Sequence, residues 1–392
     1  MTAPRTLRFL LPGLAIALAA CGDQSPQRDS GGARDAVAEF LASHWAAPRQ
    51  AQGNAPATAQ APDRSLAPAR CGACHRPQLE DWRGSLHSLA MGPGVAGQLV
   101  AMSDAERDDC RRCHAPLQEQ NDPRSPLFSE GLVCAACHMR EGRVYGPARR
   151  DGSALAAADG MPHGGWTASP AFEDSRFCAT CHQFEADGFA LNGKLLENTY
   201  EEWRASRHAR EGRACQGCHM PERRHLWRGI HDPETTRNAI TVQAGALRIE
   251  SGEISATWEL ANTGAGHFFP TYVTPRVVVS IRQESSNGAA LAGTLQEHLI
   301  ARAVTADLSA ELSDTRIAPD EKRVLDYRAR RHPRATHLAI QIRVEPDAFY
   351  TELYRSLLKE DSSGPGREQI ARALGNSLAS RYTLHAERRE LR

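Results

Sequence analysis

The sequence predicts an α+β chain in two unlike parts: a mostly irregular and α-helical domain, then an antiparallel β-sandwich-like domain with added helices. Three observations predict it. Between Cys71 and His219 one five-residue motif occurs five times, in segments rich in Arg, Ala and Pro. From about residue 238 there is no further cysteine, and β-branched or alternating segments separated by turn residues take over. Two helical patterns interrupt that second texture near the C-terminus. The 392 residues carry 47 basic and 47 acidic side chains, so no nucleic-acid or anionic-membrane surface is implied.

In chain order, Arg5 and Arg8 precede an apolar run from Phe9 to Ala20. That run is too short to span a bilayer, where about 20 residues are needed. A basic start and a short apolar core read as an export signal. The end of the run, Leu18-Ala19-Ala20-Cys21-Gly22, resembles a bacterial lipoprotein signal. Residues 1–21 are then the signal peptide and Cys21 the acylated N-terminus. An ordinary signal peptide with an incidental cysteine is the plainer reading. Two or three acyl chains would hold the protein firmly to a membrane surface. Residues 22–65 read as a tether rich in Ala, Gln, Pro, Gly and Ser. Within it, Val37, Phe40, Leu41 and Trp45 recur at helical spacing, and His44 at the end of that short helix reads as a packing or surface residue, with haem ligation as the alternative.

Residues 66–237 hold the repeated motif: Cys71-Gly-Ala-Cys74-His75, Cys110-Arg-Arg-Cys113-His114, Cys134-Ala-Ala-Cys137-His138, Cys178-Ala-Thr-Cys181-His182 and Cys215-Gln-Gly-Cys218-His219. Cys-x-x-Cys-His is the attachment signal for c-type haem. Two thiols at this spacing reach the two vinyl groups of one porphyrin, and the next residue supplies an axial nitrogen to the iron. At this chain's Cys and His frequencies, chance places roughly 0.01 such motifs in a sequence of this length. Ten of the eleven cysteines are consumed, leaving Cys21. Structural zinc would explain the cysteine couples but not a histidine after every one. A thioredoxin-like pair would need a βαβ setting. The sequence therefore implies five covalently bound haem c groups. About 170 residues are too few to wrap five porphyrins singly, so the haems are expected to touch or nearly touch, forming an electron path. Export agrees with this, since thioether attachment in bacteria takes place outside the cytoplasm.

The domain also contains an internal repeat. Glu80-Asp81-Trp82-Arg83-Gly84-Ser85-Leu86-His87 follows the first motif, and Glu201-Glu202-Trp203-Arg204-Ala205-Ser206-Arg207-His208 precedes the fifth. The frame reads as a short helix whose Trp packs on a porphyrin face and whose histidine, five residues on, points at an iron. His87 and His208 are thus expected distal ligands. In Arg223-Arg224-His225-Leu-Trp227-Arg-Gly229-Ile-His231-Asp232, one of the two histidines reads as a ligand. His231 is preferred, with Asp232 orienting its ring. Met139 and Met220 follow motif histidines and sit on the proximal side of their own haems, whereas Met91 and Met161 stay open as ligands. His298, His332, His337 and His385 lie among charged residues and read as solvent-facing.

Phe177-Cys178-Ala-Thr-Cys181-His182-Gln183-Phe184, Thr199-Tyr-Glu-Glu-Trp203 and Cys215-Gln-Gly-Cys218-His219-Met220-Pro221 resemble the multihaem cytochromes of the cytochrome c-554 and hydroxylamine oxidoreductase group, over roughly residues 66–350. The resemblance implies closely packed haem pairs and mostly bis-histidine iron. Hydroxylamine oxidoreductase has eight haems, one an unusual catalytic centre. Five motifs favour the cytochrome role. Similar proteins carry a ligand histidine in the loop Met161-Pro162-His163-Gly164-Gly165-Trp166, which implies His163. They also carry a Gly-His-x-x-Pro-Thr element after the haem domain, which resembles Gly266-His267-Phe-Phe-Pro270-Thr271 and implies that His267 reaches an iron.

Residues 238–392 read as the sandwich. Strands are expected at 239–249, 254–262, 275–283, 322–329 and 336–345, with 381–388 returning last. One helix starts at Asp347 and carries Phe349, Leu353, Tyr354, Leu357 and Leu358; another covers about 367–378. The function that follows is a lipid-anchored pentahaem electron carrier on the periplasmic or cell-surface side of a bacterial membrane. Its partners would be redox proteins, quinol-linked or other cytochromes. An oxidoreductase with one haem open to a small nitrogen or sulfur compound is the second reading, and a zinc-stabilised binding module the third.

Overall fold

The computed structural model describes residues 30–46, 51–56, 64–151, 162–360 and 364–392. The signal peptide with Cys21, and Met161, lie outside the described residues.

The first part is built from short helices: α1 (Ser30–His44), α2 (Pro68–Gly72), α3 (Arg76–Arg83), α4 (Pro93–Leu99), α5 (Asp104–His114), α6 (Cys134–His138), α7 (Arg176–His182), α8 (Thr199–Arg204), α9 (Arg207–Arg210), α10 (Cys215–His219) and α11 (Pro233–Ala239). Short strands lie between them: β1 (Met139–Arg140), β2 (Arg143–Gly146), β3 (Thr167–Ala168), β4 (Ala190–Leu191) and β5 (Lys194–Leu195). Motif cysteines stand at i and i+3, and a helical turn brings them to one face. Accordingly, motifs two to five each close or constitute a helix: α5, α6, α7 and α10. The first motif spans the junction between α2 and α3, with His75 as the N-cap residue of α3. Ser103 and Glu106 form a capping box that starts α5.

The second part is the expected sandwich. Its strands are β6 (Ile240–Glu250), β7 (Glu253–Asn262), β8 (Arg276–Glu284), β9 (Gln296–Ile300), β10 (Arg302–Val304), β11 (Glu311–Asp314), β12 (Lys322–Arg330), β13 (His337–Glu345) and β14 (Tyr382–Glu390). One sheet runs β12-β7-β6 and the other β14-β13-β8-β9, all antiparallel. Ser251 and Gly252 join β6 to β7 with φ of 51° and 78°, the backbone of a tight two-residue hairpin. The inward faces meet in one core around Trp258, Leu260, Val279, Ile281, Leu338 and Ile340. Helices α12 (Ala348–Lys359) and α13 (Arg367–Ala379) leave β13 and return into β14. Helix α13 packs on α4 of the first part. The approach is close: a Cβ on Gly97 would stand 2.7 Å from Ile370.

A second junction is ionic. Arg302, 1% exposed, gives Nε to Glu311 at 2.8 Å and its other nitrogens to the carbonyls of Leu191, Lys194 and Leu195. It thereby rivets the β4–β5 hairpin onto β10–β11. Removing Arg302 takes the donor from those three carbonyls and leaves Glu311 with Lys194 Nζ, at 2.7 Å, in place of two cations. Arg302→Met is therefore expected to cost about 3 kcal/mol, read as a lowered Tm in thermal unfolding of the holoprotein.

Candidate haem-binding centre

Four of the five motif histidines meet a second histidine ring. His75 faces His163 with ring centres 6.3 Å apart, His138 faces His225 at 6.1 Å, His182 faces His87 at 6.3 Å, and His219 faces His267 at 6.3 Å. An imidazole nitrogen binds a first-row metal at about 2.0–2.1 Å and lies about 1.1 Å from its ring centre, so two rings sharing one metal stand about 6.3 Å apart. The four gaps match. The rings oppose one another in couples, whereas a tetrahedral zinc site gathers its ligands around one point. Among the described residues no three His, Cys, Asp or Glu side chains converge in that way.

The rings are also oriented for iron. His114, His138, His219, His163, His225 and His267 each place Nδ1 on a backbone carbonyl, at 2.8, 2.8, 2.7, 2.9, 3.1 and 3.0 Å. A ring that donates through Nδ1 presents Nε2 as the free ligand nitrogen. Burial pulls His138, His182 and His267 down to about 4 and His87 to about 3. Ligation requires neutral imidazole, and these rings are neutral throughout the physiological range. His138, His182 and His267 nevertheless keep accessible surface. Rings both desolvated and accessible line an interior hollow, which is what a porphyrin needs.

The motifs adjoin one another. The thiols of Cys71 and Cys134 hydrogen-bond, as do those of Cys178 and Cys215. Cys137 acts electrostatically on Cys178, while His114, His182 and His219 all act on His87. Motif one thus abuts motif three, three abuts four, and four abuts two and five. Ser175 and the carbonyls of Phe172 and Asp174, at the start of α7, bond the backbone of Cys215 and the side chain of Gln216, locking the fourth motif to the fifth.

Two expected distal ligands are placed elsewhere. His231 gives Nε2 to Asp347 Oδ1 at 3.0 Å, and Asp232 caps α11 by accepting from Thr235 N instead of orienting that ring. His225, the alternative in the same stretch, is the residue that faces His138. His208 is 4% exposed with neither ring nitrogen bonded, beside Gly266, and among the described residues it faces no motif histidine. The repeated frame diverges at its serine: Ser85 donates to Trp82 O, whereas Ser206 caps α9 and carries His208 into a helix. His114 is the motif histidine that no histidine ring faces among the described residues. Met91 is buried in a small cluster with Leu99 and Ala115, the residue directly after His114. His44 is a packing residue, stacked on Phe40 with Nε2 2.9 Å from Cys137 O. His298, His332, His337 and His385 are half-buried on the sandwich rather than solvent-facing.

The family model for cytochrome c554 and c-prime matches residues 70–139, which hold the first three motifs. Over 193 residues the chain is 24% identical to the cytochrome c-type protein TorY of Haemophilus influenzae; the match covers 47% of this chain and 44% of that protein. The fold is similar to the crystal structure of a penta-heme cytochrome c552 from Thermochromatium tepidum, with a TM-score of 0.59 and 18% identity, over 82% of this chain and 97% of the other.

Proposed function

We propose that this multihaem c-type cytochrome carries electrons along five haems held by the cysteines and histidines of its five motifs. The observation that carries this reading is the set of four opposed histidine couples at 6.1–6.3 Å, each fitted to an iron between two rings. His163, His225, His87 and His267 are the distal ligands of the first, third, fourth and fifth motifs. Each iron cycles between Fe(II) and Fe(III), while the protein sets spacing, ligation and burial. Residues 66–237 form the conducting part and 238–392 the sandwich that supplies His267. Among the described residues no helix is long and apolar enough to cross a membrane. Cys21 supplies the attachment as a lipid anchor on an exported protein, on the periplasmic or cell-surface side. TorY of Haemophilus influenzae bears the name of a c-type cytochrome, which supports redox proteins as partners here.

A pyridine haemochrome assay on correctly exported protein should give five haems per chain. A lower count, or colourless protein, refutes the reading.

The second reading, an oxidoreductase, is favoured by one observation: no histidine faces His114 among the described residues. An iron there would have a free position for a small nitrogen or sulfur compound.

A further inference from the structure

We propose that Asp81–Trp82 and Glu202–Trp203 are two copies of one positioning device, each of which holds a haem-motif helix and the loop bearing the opposite histidine in fixed relation. This rests on the haem reading above.

In the first copy, Trp82 Nε1 donates to Leu132 O at 2.8 Å, two residues before Cys134. Its neighbour Asp81, 7% exposed, accepts the backbone N–H of His225 at 3.0 Å and clasps Arg224 through both oxygens. His138 and His225 are the couple of the third motif. In the second copy, Trp203 Nε1 donates to Arg213 O at 2.9 Å, two residues before Cys215. Glu202, 8% exposed, accepts the N–H of Phe268, next to His267, at 3.0 Å and pairs with Arg316 at 3.0 Å. His219 and His267 are the couple of the fifth motif. Two dipeptides more than a hundred residues apart thus bond the same two places of two different centres.

The need for such a device follows from the chain path. Each couple joins segments distant in sequence, 138 with 225 and 219 with 267. The loop carrying His225 is irregular, with Arg223 and Trp227 at φ of 61° and 42°, and the loop carrying His267 is tied to the sandwich by an isolated bridge, Phe269 to Ile317, so neither histidine stands on a continuous strand ladder. A buried side-chain oxygen that accepts a loop N–H supplies that constraint. The adjacent indole holds the opposite wall, so one short helix, α3 or α8, sets the gap between both walls. Orientation of metal ligands by such supporting groups governs the ligation itself.

The test uses the full-length holoprotein, its haem count and the low-temperature EPR spectrum of the oxidised form. Asp81→Ala is expected to shift one low-spin signal or convert it to high spin. Glu202→Ala should do the same to a different signal, and the double variant to both. Asp81→Asn keeps an acceptor for His225 N–H while losing the charge facing Arg224, and should retain the wild-type spectrum. Trp82→Phe, which removes one N–H and keeps a ring, should move the same signal as Asp81→Ala if that variant fails to accumulate. Unchanged spectra with five haems, both alanine variants moving one signal, or asparagine behaving as alanine overturn the proposal and leave the electron-carrier reading intact. Fewer than five haems in the wild type overturns that reading instead.

Discussion

His87→Ala is expected to turn one iron of the oxidised protein from low to high spin, and His208→Ala to leave every iron as it was. The two residues occupy the same place in a repeated sequence frame, so the difference tests geometry against pattern. His87 stands 6.3 Å from His182, ring centre to ring centre, with its Nδ1 buried and unbonded and the ring centre of Trp227 4.7 Å away in an edge-on arrangement. Burial, followed by the charges of His182, His219 and His114, lowers its proton affinity to about 3, so it is a free base at any working pH. Removing it leaves a hollow with no histidine to replace it, and an iron there loses its sixth ligand. His208 is enclosed against Gly266 with both nitrogens unbonded, and among the described residues it stacks on no motif histidine. By the same logic His163→Ala, His225→Ala and His267→Ala each convert one iron, and His231→Ala none. EPR spin counting of the series checks all six. A low-to-high-spin change in the His208 or His231 variant would dissolve the assignment by facing rings.

The places where sequence and structure part company share a cause. The motifs are legible because covalent chemistry fixes their spacing, and the sandwich strands because alternation is dictated by two opposed apolar faces. Strands β9, β10 and β11 escape notice because they are five, three and four residues long: β9 is placed by pairing with β8 and burying Ile300 in the core, while β10 and β11 are held by Arg302 and Glu311. The choice between His225 and His231 was not decidable locally. Asp232 beside His231 looks like an orienting carboxylate, yet it serves a helix N-terminus, while the carboxylates that matter, Asp81 and Asp347, come from 144 and 116 residues away. The acid–Trp frame was visible as a repeat, but that its acid holds the opposite loop is a tertiary fact. The histidines that face the motif histidines come from loops whose position is set by such long-range bonds, so spacing alone finds the motif half of each couple and not the other.

One iron in five is expected to bind added ligand, and that iron belongs to the second motif. His114 is held as firmly as its counterparts, with Nδ1 2.8 Å from Ala90 O, so its Nε2 is presented in the same way. What differs is the far side, where no histidine ring faces it among the described residues. The groups gathered near Cys110 and Cys113 are oxygen acids: Glu197 acts on Cys113, Tyr350 on Cys110, and Tyr272 adjoins Glu197 and Tyr350. Burial raises Glu197 to about 7 and pushes both tyrosines up from the usual phenol value, so the tyrosines are neutral hydroxyls at working pH. Neutral phenols and a carboxyl poised near neutrality can donate hydrogen bonds to a small anion or oxyanion on iron, and they are weak competitors for the metal itself. Titrating the reduced protein with carbon monoxide, or the oxidised protein with nitrite or hydroxylamine, should therefore saturate at one equivalent per five haems and alter only a high-spin signal. Replacing Cys110 and Cys113 together by serine should lower the haem count to four and abolish that response while the four low-spin signals persist. Tyr272→Phe and Glu197→Gln should change ligand affinity at that iron several-fold without changing spin counts, because they touch the bound ligand's surroundings and not the four closed couples. Five low-spin irons, or a ligand response that survives loss of the second motif, would restrict the molecule to conducting electrons.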